Sequence, residues 1–356
     1  MQRKRIASWL VALSDPAGLR PSLPERRLRE RELAALCDLA DAHGVLPAVA
    51  ANFGEAAAAQ GPGRIVQVAA GRRAASEEVK AALVAAERRM LREKVAVTLL
   101  RRQAEEIGAA LSARSLTAAI LKGPDFAERL YPRTTLRLYK DLDLLVRSQA
   151  VPEVEEVLER LGHVPVRVPR GRGWVHLGCT WRRLDGRGGV VDVHWDLSHP
   201  LLVHRMSLRF EDLEFQEPQA ASGLLRPTAS SLLFVAAAHA ATPHTFSRMQ
   251  CVWDVCQAAR GVAGPVDARW LAQAAARTRG GIALVPALRL GRDVLGDDAC
   301  GALLARLPQA DLLRGAGATV PPRLWVGLVT GHSVVWPNSA SGKARRLLFR
   351  WLWRRG

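Results

Sequence analysis

The stretch YKDLDLLV, residues 139–146, places the tightest limit on how this chain can fold. Asp141 and Asp143 stand two apart inside an otherwise apolar run. Side chains alternate faces along a β-strand. The run therefore predicts a strand with both carboxylates on one face and Leu142, Leu144 and Val146 on the other. Carboxylates are costly to bury. Two of them on Cα atoms about 6.5–7 Å apart repel, and one pKa rises. A divalent cation removes the conflict, and hard oxygen donors select Mg2+ or Mn2+.

A second stretch, VVDVHWDL at residues 190–197, repeats the pattern. Asp192, His194 and Asp196 share one face, and Val191, Val193 and Trp195 share the other. If this strand lies beside 141–146, Asp192 joins the first two carboxylates. Three carboxylates around two divalent ions suit in-line phosphoryl and nucleotidyl transfer. Asp192 would then be placed to take a proton from an attacking hydroxyl. A third stretch, ILKGPDF, ends a short apolar run in Lys122 and Gly123 and then opens a helix. Glycine there lets phosphate approach the backbone, and a helix N-terminus offers amide donors. Lys122 supplies a point charge for a triphosphate, and Arg137, four residues before Asp141, supplies another.

Other side chains carry two readings each. His194 either hydrogen-bonds a metal-bound carboxylate or caps the sheet edge. His239 lies in an apolar helix, as a core histidine or as a support for the site. Asp254, in mid-helix, reads as the buried partner of an arginine such as Arg248.

The fold class follows from the order of these patterns. Residues 1–112 read as helical. The segment from Ser76 to about Gly108 runs without a breaker, and Ser76 is its expected N-cap. Residues 113–226 hold the strands: LTAAILKG, DLDLLVR, VPVRV, and two runs joined by a glycine-rich turn at 185–189. Short helices intervene at PDFAERLYP and VPEVEEVLERLGH. Residues 227–356 are helical again and end in a basic amphipathic tail. The expectation is an α+β, mostly helical chain with a small mixed β-sheet core between N- and C-terminal helical regions.

Composition adds bounds. Of 356 residues, 49% are hydrophobic, which is ample for a core, and the net charge is +17. Basic excess favours polyanions such as nucleotides, nucleic acid or an anionic membrane face. A coding bias toward arginine explains the same charge, because the only lysines are Lys4, Lys80, Lys94, Lys122, Lys140 and Lys343. Five scattered cysteines imply no disulfide framework and fit a reduced, cytoplasmic setting. Cys251 and Cys256 alone make too small a set for zinc. The N-terminal MQRKRIASWLVALSDPAG reads as an amphipathic helix rather than a signal peptide. No run of about 18 apolar residues predicts a membrane span. In the tail KARRLLFRWLWRRG, the stripe Leu347, Leu348, Trp351 and Leu352 suits an anionic membrane surface, RNA phosphates, or packing on the protein itself.

The motifs also carry a resemblance. LKG, a short helix, LYP, an arginine, DLDLLV and, some fifty residues on, VDVHW resemble the uncharacterised nucleotidyltransferase family of the polymerase-beta-like superfamily. The likeness extends to LADAHGVLPAV before the core and to AAAHAATPH and WDVCQ after it. The resemblance implies a small mixed sheet with helices on it, an NTP donor, Mg2+, and Asp141, Asp143 and Asp192 as the metal-binding triad. Where the superfamily has Gly-Gly or Gly-Ser, this chain has Lys122-Gly123, and the segment from Gly123 to Asp141 is longer than usual. The expected activity is transfer of an NMP group to an acceptor: a small molecule, a peptide, a polysaccharide precursor or RNA. The competing readings are a non-catalytic nucleotide- or RNA-binding module and a peripheral membrane protein.

Overall fold

The computed structural model describes residues 2–18, 23–60, 66–67, 73–166, 178–186, 188–197, 206–217, 223–242, 244–315 and 343. Helix α1 (Gln2–Leu13) turns Ile6, Trp9, Leu10 and Leu13 inward, the three- and four-residue spacing of an amphipathic helix. The Trp9 indole donates to the Arg26 carbonyl at 2.8 Å. Strand β1 (Leu28–Arg29) leads into α2 (Glu30–Ala42) and pairs in parallel with β2 (Val66–Gln67). Between α2 and α3 (Leu46–Gln60) the chain turns at Gly44, which has φ +70°.

Helix α4 runs from Arg73 to Ser112. Ser76 is therefore inside the helix and not its N-cap. Ala74 and Ala75 are the strongest helix formers available, and they extend the helix backwards past the serine.

The sheet has six strands: β3 (Ala118–Leu121), β4 (Asp141–Val146), β5 (His163–Pro165), β6 (Gly178–Arg183), β7 (Val190–His194) and β8 (Leu224–Leu225). Their spatial order is β5-β6-β7-β4-β3-β8. The β4–β7 and β3–β8 pairs are parallel and the others antiparallel, so the sheet is mixed as expected. Two short helices, α5 (Gly123–Leu130) and α6 (Val151–Arg160), fall where the two proline-led patterns put them.

Alternation sorts the sheet into two faces. Leu142, Leu144, Val146, Val191 and Val193 pack against Leu100, Ile107 and Leu111 of α4 and Val154, Val157 and Leu158 of α6. The opposite strand positions, Ala119, Leu121 and Leu145, join a larger cluster that reaches α1, α2 and the C-terminal helices. Those helices are α7 (Ala229–Ala241), α8 (Met249–Ala259), α9 (Ala268–Thr278), α10 (Gly281–Leu295), α11 (Asp298–Arg306) and α12 (Gln309–Gly315). Thr228, Asp267 and Asp297 cap α7, α9 and α11 through their side-chain oxygens. The architecture is α+β and mostly helical. No helix among the described residues is long and apolar enough to cross a membrane. The tail stripe at 347–352 lies outside the described residues. The five cysteines are free thiols.

One glycine fixes how α4 meets the sheet. Gly223, just before β8, has φ +61°, and a Cβ there would stand 2.3 Å from the Gly108 carbonyl oxygen. That obstacle is backbone and cannot swing aside. Gly223→Ala is expected to lower unfolding free energy by about 1–3 kcal/mol, as strain and overlap combine. Denaturant unfolding monitored by circular dichroism measures it.

Candidate active site

The β4–β7 ladder sets the site. Its register pairs Asp143 with Asp192, Asp141 with Val190 and Leu145 with His194. Two carboxylates thus stand side by side on neighbouring parallel strands, and Asp141 lies two residues along on the same face. Asp143 is buried, Asp192 and His194 are half-buried, and Asp141 reaches solvent. The apolar residues between them anchor the other face, so the carboxylates cannot turn away without unpacking Leu142, Val191 and Val193.

Asp143 Oδ1 is held from two directions. Lys122 Nζ sits 2.6 Å away and His194 Nε2 3.0 Å away. Burial by itself would raise the Asp143 pKa. The Lys122 ammonium and the His194 hydrogen bond outweigh it and hold the carboxyl well below the usual range. Asp141 moves the other way. Burial of its base raises its pKa, and the charges of Asp143 and Asp192 add to that against the pull of Lys122. The Asp192 Oδ1 accepts the Thr180 hydroxyl at 2.6 Å. Thr180 is its cross-strand partner in the antiparallel β6–β7 ladder. Sequence reading gave no sign of Thr180, because its role depends on the β6–β7 register.

Asp196, on the same alternation as Asp192, lies beyond the end of β7. It accepts hydrogen bonds from the Ser207 hydroxyl and the Leu208 amide and so fixes the returning chain.

Lys122 and Gly123 form the turn between β3 and α5. Lys122 has φ +54° and ψ −136°, a region that glycine enters freely and other residues enter at a cost of about 1–3 kcal/mol. Gly123 has φ +29°, and a Cβ there would lie 3.3 Å from the Asp141 carbonyl oxygen. The strained turn aims the lysine amine at Asp143 and keeps backbone close to Asp141.

Arg137 faces inward. Its Nε and Nη2 each donate to Asp254 at 2.8 Å, and its Nη1 donates to the Gly123 carbonyl at 3.3 Å. The Tyr131 hydroxyl donates to the same Asp254 at 2.7 Å. Arg137, and not Arg248, is therefore the arginine partner of Asp254. Burial pushes the Tyr131 hydroxyl well above its ordinary pKa, and the Asp254 charge adds to the rise. Helix α8 presents Gln250, Asp254 and Gln257 on one stripe. The two glutamine amides donate to the carbonyls of Leu138 and Leu130. The whole segment 130–138, which carries the chain from α5 to β4, is thereby pegged to α8.

His239, on α7, makes no hydrogen bond to the carboxylates. Its ring packs edge-to-face on that of His244, with centroids 4.8 Å apart. Burial holds its pKa well below the ordinary value, and the nearby Lys122 charge adds to the effect.

Donor atoms of Asp143, Asp192 and His194 lie within 4.8 Å of one another. With Asp141 on the same face, the oxygens are of the type that binds small hard divalent cations, so these residues fit such an ion.

A family model described as uncharacterised nucleotidyltransferase matches residues 29–296. No curated protein matches the chain. Among solved structures, the antibiotic-resistance factor ANT(2'')-Ia in solution is 18% identical, with a TM-score of 0.35, over 52% of this chain and 92% of that one. The crystal structure of ANT(2'')-Ia in complex with adenylyl-2''-tobramycin is 18% identical, with the same TM-score, over 51% and 96%.

Proposed function

Because the chain belongs to the uncharacterised nucleotidyltransferase family, we propose that it moves an NMP group from an NTP to the hydroxyl of an acceptor and releases pyrophosphate. The observation that supports this most is the β4–β7 register, which sets Asp143 beside Asp192 with Asp141 on the same face. Asp141, Asp143 and Asp192 would hold the divalent cation, Mg2+ or Mn2+. When bound, it would neutralise phosphate charge that three carboxylates would otherwise repel.

The chain's own groups divide the remaining work. Lys122 and the Gly123 amide hold the triphosphate. Asp192 has one oxygen engaged by Thr180, which orients the other toward the acceptor hydroxyl as it loses its proton. The acceptor oxygen forms a bond to the α-phosphorus, the bond to pyrophosphate breaks, and the acceptor proton passes to Asp192. Arg137 works from behind the turn: tied to Asp254, it donates to the Gly123 carbonyl and so braces the Lys122–Gly123 turn from the protein side.

Lys122 changes partners in this scheme. Without nucleotide it neutralises Asp143; with nucleotide it turns to the phosphates. Metal and NTP should therefore bind cooperatively. Lys122→Met is expected to raise the KM for NTP about 10- to 100-fold, the worth of a charge-assisted hydrogen bond. The same variant should bind Mn2+ alone more tightly than the parent protein, as read by electron paramagnetic resonance.

The reading is tested with each α-32P-labelled NTP, Mg2+ and a host extract. Transfer of label to an extract component, with stoichiometric pyrophosphate, supports it. Saturable NTP binding without pyrophosphate release overturns it in favour of a non-catalytic nucleotide-binding module.

A further inference from the structure

A second cluster of metal-ligating side chains shares no residue with the carboxylate set. We propose that His239, His244 and Cys251 form a metal site for a borderline-soft divalent cation of the Zn2+ type. Their donor atoms, two imidazole nitrogens and one thiol sulfur, lie within 4.8 Å of one another. Tetrahedral zinc with bonds of 2.0–2.3 Å needs donors about 3.5 Å apart. The cluster must therefore close by about an ångström to hold such an ion.

The backbone already gathers the three ligands. His239 is in the last turn of α7, His244 in the connecting loop and Cys251 in the first turn of α8. The loop is pinned back on the helix it leaves. The Thr245 amide donates to the Ala241 carbonyl at 3.1 Å and the Phe246 amide to the Ala240 carbonyl at 2.7 Å. Both residues have positive φ, 49° and 56°. Two consecutive non-glycine residues in that region cost about 1–2 kcal/mol each. The strain brings His244 against His239. Neither imidazole has a hydrogen-bond partner among the described residues.

The chemistry of the donors agrees. Burial lowers both imidazole pKa values, that of His244 to about 4, with Arg248 and Lys122 adding to the effect. Each ring offers a nitrogen lone pair to a cation when its imidazole is neutral. Burial pushes the Cys251 thiol up to about 12, against the pull of Arg248, Arg137 and Lys122. A coordinating ion deprotonates such a thiol outright, and the proton leaves to solvent. The thiolate then offsets the repulsion between the ion and these neighbouring cations. Nitrogen and sulfur donors select zinc-like ions, whereas the oxygens of Asp141, Asp143 and Asp192 select harder ones. The two centres are thus chemically separable. The ion would clamp α7 to α8, the helix whose Gln250, Asp254 and Gln257 hold the segment before β4.

The test uses full-length protein stripped with chelator and titrated with Co2+. The expected result is one equivalent bound with tetrahedral visible bands and a thiolate-to-cobalt charge-transfer band, besides any Co2+ taken up by the carboxylates without such a band. Cys251→Ser should remove the charge-transfer band. His244→Ala, in the loop, should weaken Co2+ binding at least about 10-fold, since even supporting residues of metal sites cost that much. Asp141→Asn/Asp143→Asn should leave the spectrum unchanged. The proposal is overturned if no thiolate band forms, if it survives in Cys251→Ser and disappears in Cys300→Ser, or if it depends on Asp143. Failure here leaves the carboxylate centre and the proposed transferase activity untouched.

Discussion

Asp143→Asn and Asp192→Asn are each expected to lower nucleotidyl transfer at least about 1,000-fold, some 4 kcal/mol of transition-state stabilisation. Each removes one of the two carboxylates that the β4–β7 register sets side by side. The measurement is pyrophosphate release at saturating NTP and Mg2+. The two variants should differ in their other properties. Asp143→Asn removes the negative charge that faces the Lys122 ammonium and His194 and should also lose stability. Asp192→Asn keeps an oxygen to accept the Thr180 hydroxyl and should fold like the parent. If Asp192→Asn retains a tenth or more of the parent activity, the shared carboxylate centre is not where the chemistry occurs.

Asp254→Ala is expected to be the most damaging single change away from the carboxylates. Asp254 is fully buried, Arg137 is 4% exposed, and the pair is bidentate. Removing one member strands a buried guanidinium, which costs about 3–5 kcal/mol. It also takes the acceptor from the Tyr131 hydroxyl. Denaturant midpoints measure the loss. A second arm separates stability from position. Replacing both members with apolar residues, Arg137→Met with Asp254→Leu, should recover much of the stability, because no charge is left unpaired. Activity should stay low, because the Lys122–Gly123 turn then loses the Arg137 hydrogen bond that braces it. Full activity in that double variant would show that Arg137 serves the fold alone.

The pattern of elements was legible because each strand and helix near the site has strong local signals. Asp141 and Asp143 alternate with leucines, so the strand and its two faces could be read directly. Pro124 and Pro152 mark helix starts, and the glycines at 185–189 mark a turn. The start of α4 was misplaced because a serine suited to capping sits in a sequence whose preceding alanines favour helix equally well. The partner of Asp254 was missed for another reason. Arg248 is near in sequence, but Arg137 is near in space, 117 positions away. Sequence distance carries no information about that choice. The His239, His244 and Cys251 cluster is obscured likewise, since Cys251 is near Cys256 in sequence and meets the histidines only where the loop folds back between the two helices.

By itself the sequence determined which side chains share a face, because strand and helix periods are properties of the local backbone. Only the tertiary structure decided which faces meet: Asp143 beside Asp192, Lys122 on Asp143, Arg137 on Asp254. Those pairings depend on strand register and helix docking, which are set by the burial of distant apolar surfaces such as the α4–sheet contact, and no local spacing encodes them.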